Sequence, residues 1–251
     1  IKVNKMKKTW FLPAAAALLL VGCAQNEPKD AQEVIGQYEA ATGLSGVTKD
    51  TPLMLKLRMN MSDSTKMYCT FIVNPPQERL RLEMSVNGQT AIFAVDGQQG
   101  WMLPPDGSGV QVLPKEQIEA FSQQFNALSG IKWDTADYRL TLLPSEKKDG
   151  KKYNVVEAAP KQDSLGQVHQ KIFFNRETGL ADFTEYKLSM YGQETSGEVV
   201  FGAYEEAQGV KYPSSLTSSS DGKEVYSALI DTLIVNYAAP DSLFVQPTEK
   251  K

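Results

Sequence analysis

From residue 53 onward the chain alternates apolar and polar residues almost without interruption, and no helix-period segment separates the strands after residue 130. Leu53, Leu55, Leu57, Met59 and Met61 fall on one face of a strand, while Lys56, Arg58 and Asn60 fall on the other. A period of two with one wet face is the pattern of a half-buried antiparallel strand, and a chain lacking βαβ alternation cannot build a parallel sheet. Further strands are expected at 66–73, 79–86, 89–95, 100–103, 110–113, 138–143, 153–158, 168–174, 180–188, 198–203, 216–219 and 224–237, with another segment through Tyr212. Asn87-Gly88 is a strong two-residue hairpin signal, and such a loop pairs Leu82 with Phe93, Met84 with Ala91 and Leu80 with Val95. The apolar face thus continues across the turn. After Asp96-Gly97 the parity reverses, placing Trp101 beside Ile92 or Ala94 on the opposite face, where a second layer must cover it.

Two helices interrupt the pattern. Asp30 caps the first, with Glu33 three residues on; Val34, Ile35, Tyr38 and Ala41 form its stripe, and Gly43 ends it. The second begins near Lys115, carries Ile118, Phe121, Phe125 and Leu128 on one side, and stops at Gly130. About ten or eleven strands in one sheet do not stay flat. The expected fold is mainly β: a curved antiparallel sheet forming an unclosed barrel, with the helices packed in or over its concave face.

The N-terminus has a different character. Residues 1–5 precede Met6-Lys7-Lys8, an apolar run from Trp10 to Gly22, and Cys23. A basic start, a short apolar stretch and small residues before a cysteine describe a secretory signal over residues 1–22, too short for the roughly 20 residues that span a bilayer. Leu20-Val21-Gly22-Cys23 resembles the bacterial lipobox, which implies cleavage before Cys23 and its acylation. Residues 23–29 then form the acylated cysteine and tether, and residues 30–251 the β domain. The removed segment holds four lysines and no acid, so 22 basic residues face 30 acidic ones, formally −8. An acidic body without a basic stripe argues against nucleic acid and against electrostatic adhesion to anionic lipid, leaving the acyl anchor to hold the membrane. With Cys23 acylated, Cys69 is a lone thiol and reads as a small buried apolar residue.

The order of these features resembles the bacterial lipoprotein-carrier family, the LolA and LolB proteins: a helix, two strands, the Asn74-Pro75 turn, two more strands, Asp96-Gly97 followed by Trp101 and Pro104-Pro105, then a lid-like helix. Phe173-Phe174-Asn175-Arg176-Glu177-Thr178-Gly179-Leu180 and Gly209-Val210-Lys211-Tyr212-Pro213 are similar to segments of the wider set. The resemblance implies a half-barrel with a hydrophobic cavity for acyl chains, and the anchor at Cys23 places the chain nearer the LolB side. The arginine that LolA proteins carry directly before the proline is Asn74 here.

Read from the residues alone, Leu55, Leu57, Met59, Leu80, Leu82, Met84 and Phe93 could line a concave apolar wall, with Ile118, Phe121 and Phe125 as its lid. Five methionines from Met54 to Met84 suit a wall that adapts to flexible chains. From the residues alone a dry core is the plainer reading, and the resemblance brings the two level. Enzyme motifs are missing: there is no G-x-S-x-G, P-loop, G-x-G-x-x-G or H-E-x-x-H. The one histidine, His169, shares a strand face with Lys171, and the acids Asp182, Glu185, Glu205 and Glu206 read as surface charge. The expectation is a non-catalytic, cofactor-free monomer that binds lipid or acylated protein cargo. It is exported and anchored to a bacterial membrane, most simply the outer one, in lipoprotein sorting or envelope lipid handling. The alternative is a structural or protein-interaction module of the envelope.

Overall fold

In the computed structural model Asp30 stands in extended conformation, and its carboxylate accepts a 2.9 Å hydrogen bond from the Glu33 amide, which starts helix α1 (Ala31–Thr42). Gly43 ends the helix in the left-handed region at φ 75°. A Cβ there would collide with the Gly209 carbonyl oxygen, so backbone freedom and close approach both require glycine. The structure describes residues 27–124, 131–133, 135–161, 168–190 and 193–247.

Five strands follow in a meander: β1 (Leu53–Met61), β2 (Lys66–Asn74), β3 (Arg79–Val86), β4 (Gln89–Asp96) and β5 (Gln99–Leu103), then the short β6 (Gln111–Val112). After α2 (Lys115–Gln124) come β7 (Tyr138–Lys148), β8 (Lys151–Pro160), β9 (Val168–Asn175), β10 (Ala181–Met190) and β11 (Gln193–Phe201). A small hairpin, β12 (Tyr204–Ala207) and β13 (Val210–Pro213), precedes β14 (Ser215–Ser220) and β15 (Lys223–Val235). Among the described residues all pairings are antiparallel, and the main sheet runs β6-β5-β4-β3-β2-β1-β15-β14-β11-β10-β9-β8-β7, with β6 and β7 at its two edges, so the barrel is not closed. The main sheet has thirteen strands where ten or eleven were expected, and β15, paired with both β1 and β14, joins its two meanders.

Registers across the turns match the parity argument: Leu82 lies opposite Phe93, Met84 opposite Ala91, Leu80 opposite Val95, and Trp101 opposite Ala94. A bulge in β15 leaves Asp231 without a partner between Ile230 and Thr232. The bulge keeps Tyr226, Ala228 and Ile230 on the same face as Leu233 and Val235, although the apolar alternation breaks there.

On the inner face, α1 presents Val34, Ile35 and Tyr38 to Leu53, Leu55, Leu233, Ile230, Phe201, Ile172 and Val156. Tyr38, Trp133 and Phe174 form a triad of rings with centroids 5.3–5.8 Å apart, and the indole of Trp133 donates to Gln170 Oε1 at 2.8 Å. On the outer face, the C-terminal segment 236–247 is the layer that Trp101 requires. Its Phe244 packs with Met54 and Ile72, and the indole of Trp101 donates to the Phe244 carbonyl at 2.8 Å. Arg81 donates to the Leu243 carbonyl at 2.6 Å, and Arg79 pairs with Asp241 at 2.6 Å and with Asp96 at 2.8 Å. Both guanidiniums also lie over rings, Arg79 over Phe244 and Arg81 over Trp101.

Burial of the inner core has a consequence at high pH. It holds the Tyr38 and Tyr204 phenols well above their ordinary pKa of 10.0. Tyr38 donates to the Ile131 carbonyl at 2.7 Å and Tyr204 to that of Ala181 at 3.0 Å. A raised folded-state pKa means that the native chain keeps protons the unfolded chain gives up, so their contribution is intact below pH 10 and declines above it. Denaturant melts are expected to lose about 1.4 kcal/mol per pH unit for each buried phenol above pH 10. Tyr204→Phe should make that slope shallower by one such step, and an unchanged slope would show that its phenol does not titrate with unfolding.

Candidate functional site

The candidate site is built by register across five strands. Leu57 pairs with Cys69 on β2 and Ile230 on β15, and Cys69 pairs in turn with Met84. One row toward the open end of the sheet, Met59 pairs with Met67 and Ala228, and Met67 with Val86; Met61 lies opposite Tyr226 beyond them. Side chains two residues apart on a strand share a face, so these rows form one apolar surface continuous with Leu55, Phe71, Leu82 and Phe93. The helices close only part of it. The α1 core includes Leu53 and Leu55, while Ile118 of α2 packs with Leu80, Val95 and Leu113 over β3 to β5. Gly100 makes room for Ile118, since a Cβ there would meet its Cγ1 at 2.9 Å. Beyond these clusters Met59, Met61, Met67, Met84 and Val86 remain half-buried.

The residues anticipated as a cavity wall therefore divide. Leu55, Leu80 and Ile118 are buried members of the two packed clusters, and Leu82 is buried between them. Leu57, Met59, Met84 and Phe93 are half-buried on the same face. The Phe121 side chain and Phe125 lie outside the described residues. Of the five methionines, Met54 faces the other way and packs under Phe244. Missed from the sequence were Tyr226, Ala228, Ile230, Leu216 and Val199, which carry the same face through β15, β14 and β11.

Cys69 is 5% exposed, and burial pushes its thiol upward, away from the thiolate. Across β15 the inner face turns more polar: the Tyr186 hydroxyl approaches Ser218 Oγ at 3.5 Å, and burial raises the Tyr226 phenol. Gly197 leaves space for the Tyr186 ring.

A second concavity, a groove of about 880 Å3, has both polar and apolar lining across β8 to β11 and β14. Glu157, Lys171, Glu185 and Glu198 stand in successive register there, beside His169 and Lys187. Their alternating charges and the exposed His169 match a solvated outer face. Among the described residues no group of three or more histidines, cysteines, aspartates or glutamates is placed to hold a metal ion.

Neither a family model nor a curated protein sequence matches this chain. Solved structures do match. A LolA superfamily protein from Nitrosomonas europaea superposes with a TM-score of 0.56 at 16% identity, over 87% of this chain and 98% of that one. A domain described as a putative outer membrane lipoprotein-sorting protein from Vibrio parahaemolyticus gives 0.54 at 11% identity, over 85% and 95%. At such identities the likeness establishes the fold.

Proposed function

We propose that this LolA-like chain is an exported lipoprotein, acylated at Cys23, that binds lipid or lipoprotein acyl chains on the inner face of its half-barrel without catalysing a reaction. The observation that carries the reading is the continuous apolar face from β15 to β4, packed under α1 and α2 at one end and half-buried at the methionine end. Leu57, Met59, Met84 and Phe93 are the contact residues in this reading, with Leu55, Leu80, Leu82 and Ile118 as the packed floor behind them. From the sequence, Phe121 and Phe125 are proposed as further lid residues. Unbranched thioether side chains suit a ligand without one fixed shape. Sorting of lipoproteins or handling of envelope lipid at the outer membrane is the process such a carrier serves.

The test uses the full chain carrying Cys23→Ser, which has no residue left to acylate at that site. Native mass spectrometry with lipid extraction is expected to find a co-purifying lipid or acylated peptide. Added fatty acid at a hundred times its dissociation constant should stabilise the protein by about 2.7 kcal/mol, or about 5–10 °C for a chain of this size. Met84→Glu and Leu57→Glu change half-buried positions and should weaken binding at least about tenfold, because an unpaired carboxylate resists desolvation. A bare protein whose melting temperature ignores every added acyl chain would instead favour a dry core and a role for the surface in protein contacts.

A further inference from the structure

We infer that the methionine end of the inner face is a binding site for a soft monovalent d10 cation, Cu(I) or its redox-inert counterpart Ag(I). Half of the chain's eight methionines meet here: Met59, Met61, Met67 and Met84. Met84 stands opposite Cys69, the second of the chain's two cysteines, Met59 lies diagonal to it, and Met61 lies one row further out. Met59 is the direct cross-strand partner of Met67, Met84 that of Cys69, and Met67 and Cys69 are successive inward positions on β2. Directly opposed side chains have Cβ atoms about 4.5–5.5 Å apart and diagonal ones about 7–8 Å. Methionine has three side-chain torsions to turn, so sulfurs from three strands can converge on one ion.

The chemistry of the donor set selects the metal. Thioethers and thiolate are soft ligands that favour Cu(I), whereas Zn(II), Mg(II) and Ca(II) want imidazole or oxygen. The neighbouring inward positions are Leu57, Val86, Ala91 and Ala228. They offer neither imidazole nor carboxylate, and His169 stands on the outer face. A wall needed only for its flexibility requires no thiol at its centre. Binding involves no electron transfer: the metal enters as Cu(I), methionine sulfurs donate lone pairs, and Cys69 exchanges its S–H proton, released to solvent, for an S–Cu bond.

The site shares the inner face of the proposed carrier and needs it to be reachable, yet the two readings can fail separately. Under anaerobic conditions, the full chain with Cys23→Ser, in which Cys69 is the only thiol, should withdraw one equivalent of Cu(I) from a bicinchoninate complex. X-ray absorption should show a first shell of sulfur alone. The double variant Met67→Leu, Met84→Leu keeps volume and apolarity, so it should fold with an unchanged circular dichroism spectrum and melting temperature while Cu(I) affinity falls at least about tenfold. Cys69→Ala should weaken it further. No withdrawal of Cu(I), or withdrawal unaffected by the methionine and cysteine variants, would overturn the site whatever the fatty-acid result.

Discussion

Replacing Phe244 with alanine is expected to destabilise the protein by about 3–5 kcal/mol, the range for deleting a buried aromatic ring. Phe244 is 2% exposed although it lies close to the end of the chain, beyond the last strand. Its ring fills the space over Met54 and Ile72, its carbonyl accepts from the Trp101 indole, and its neighbours are tied by Arg79 and Arg81. The loss therefore includes the cavity and the loosening of a segment that keeps Trp101 and Arg81 out of water. For a chain of this length the melting temperature should fall by about 6–20 °C. Trp101 emission should shift to the red. Val245→Ser, at a neighbouring position that is 61% exposed, should change stability by no more than about 0.5 kcal/mol. Equal effects of the two substitutions would mean that the segment is not seated on the sheet in solution.

The second large effect concerns the membrane. In the proposed reading Cys23 carries two or more acyl chains, and with each buried methylene contributing about 0.8 kcal/mol these hold a protein firmly where a single chain would not. The wild-type chain should therefore sediment with membranes almost completely, and Cys23→Ser should move it to the soluble fraction. The acidic body supplies no attraction to anionic lipid that could substitute for the anchor. Glu27, four residues on, is held by Arg176 through two hydrogen bonds of 2.7 and 2.8 Å, so the chain leaves the domain beside the Asn175–Gly179 turn. A Cys23→Ser protein that stays with the membrane would contradict the anchor.

What could be read from the sequence was local. The Asn87-Gly88 loop set the β3–β4 register, and the two-residue spacing put Trp101 on the far face, because turn length and strand parity are short-range facts. The cap at Asp30 and the stop at Gly43 are likewise carried by a few adjacent residues. Of the β12–β13 hairpin only the segment through Tyr212 was read, since its turn is Gln208-Gly209, and glutamine is not a residue that advertises the left-handed conformation it adopts at φ 53°. Pairing of β1 with β15 joins residues more than 160 positions apart, and alternation alone does not say which apolar faces meet. Half of the inner face, from Tyr226 to Val199, was hidden for that reason. The cover of Trp101 was foreseen as a need, while its source in the C-terminal segment follows only from the tertiary fold.

The central claim is that an acyl chain lies along the inner face from Leu57 to Met84. Photolabelling of the Cys23→Ser chain with a diazirine-bearing palmitate, mapped by peptide mass spectrometry, tests it most directly. The predicted adducts fall on Leu57, Met59, Met67, Met84 and Phe93, and unlabelled palmitate removes them by competition. Adducts confined to the outer face, around Glu185 and Lys187, or labelling that unlabelled palmitate does not reduce, would contradict it.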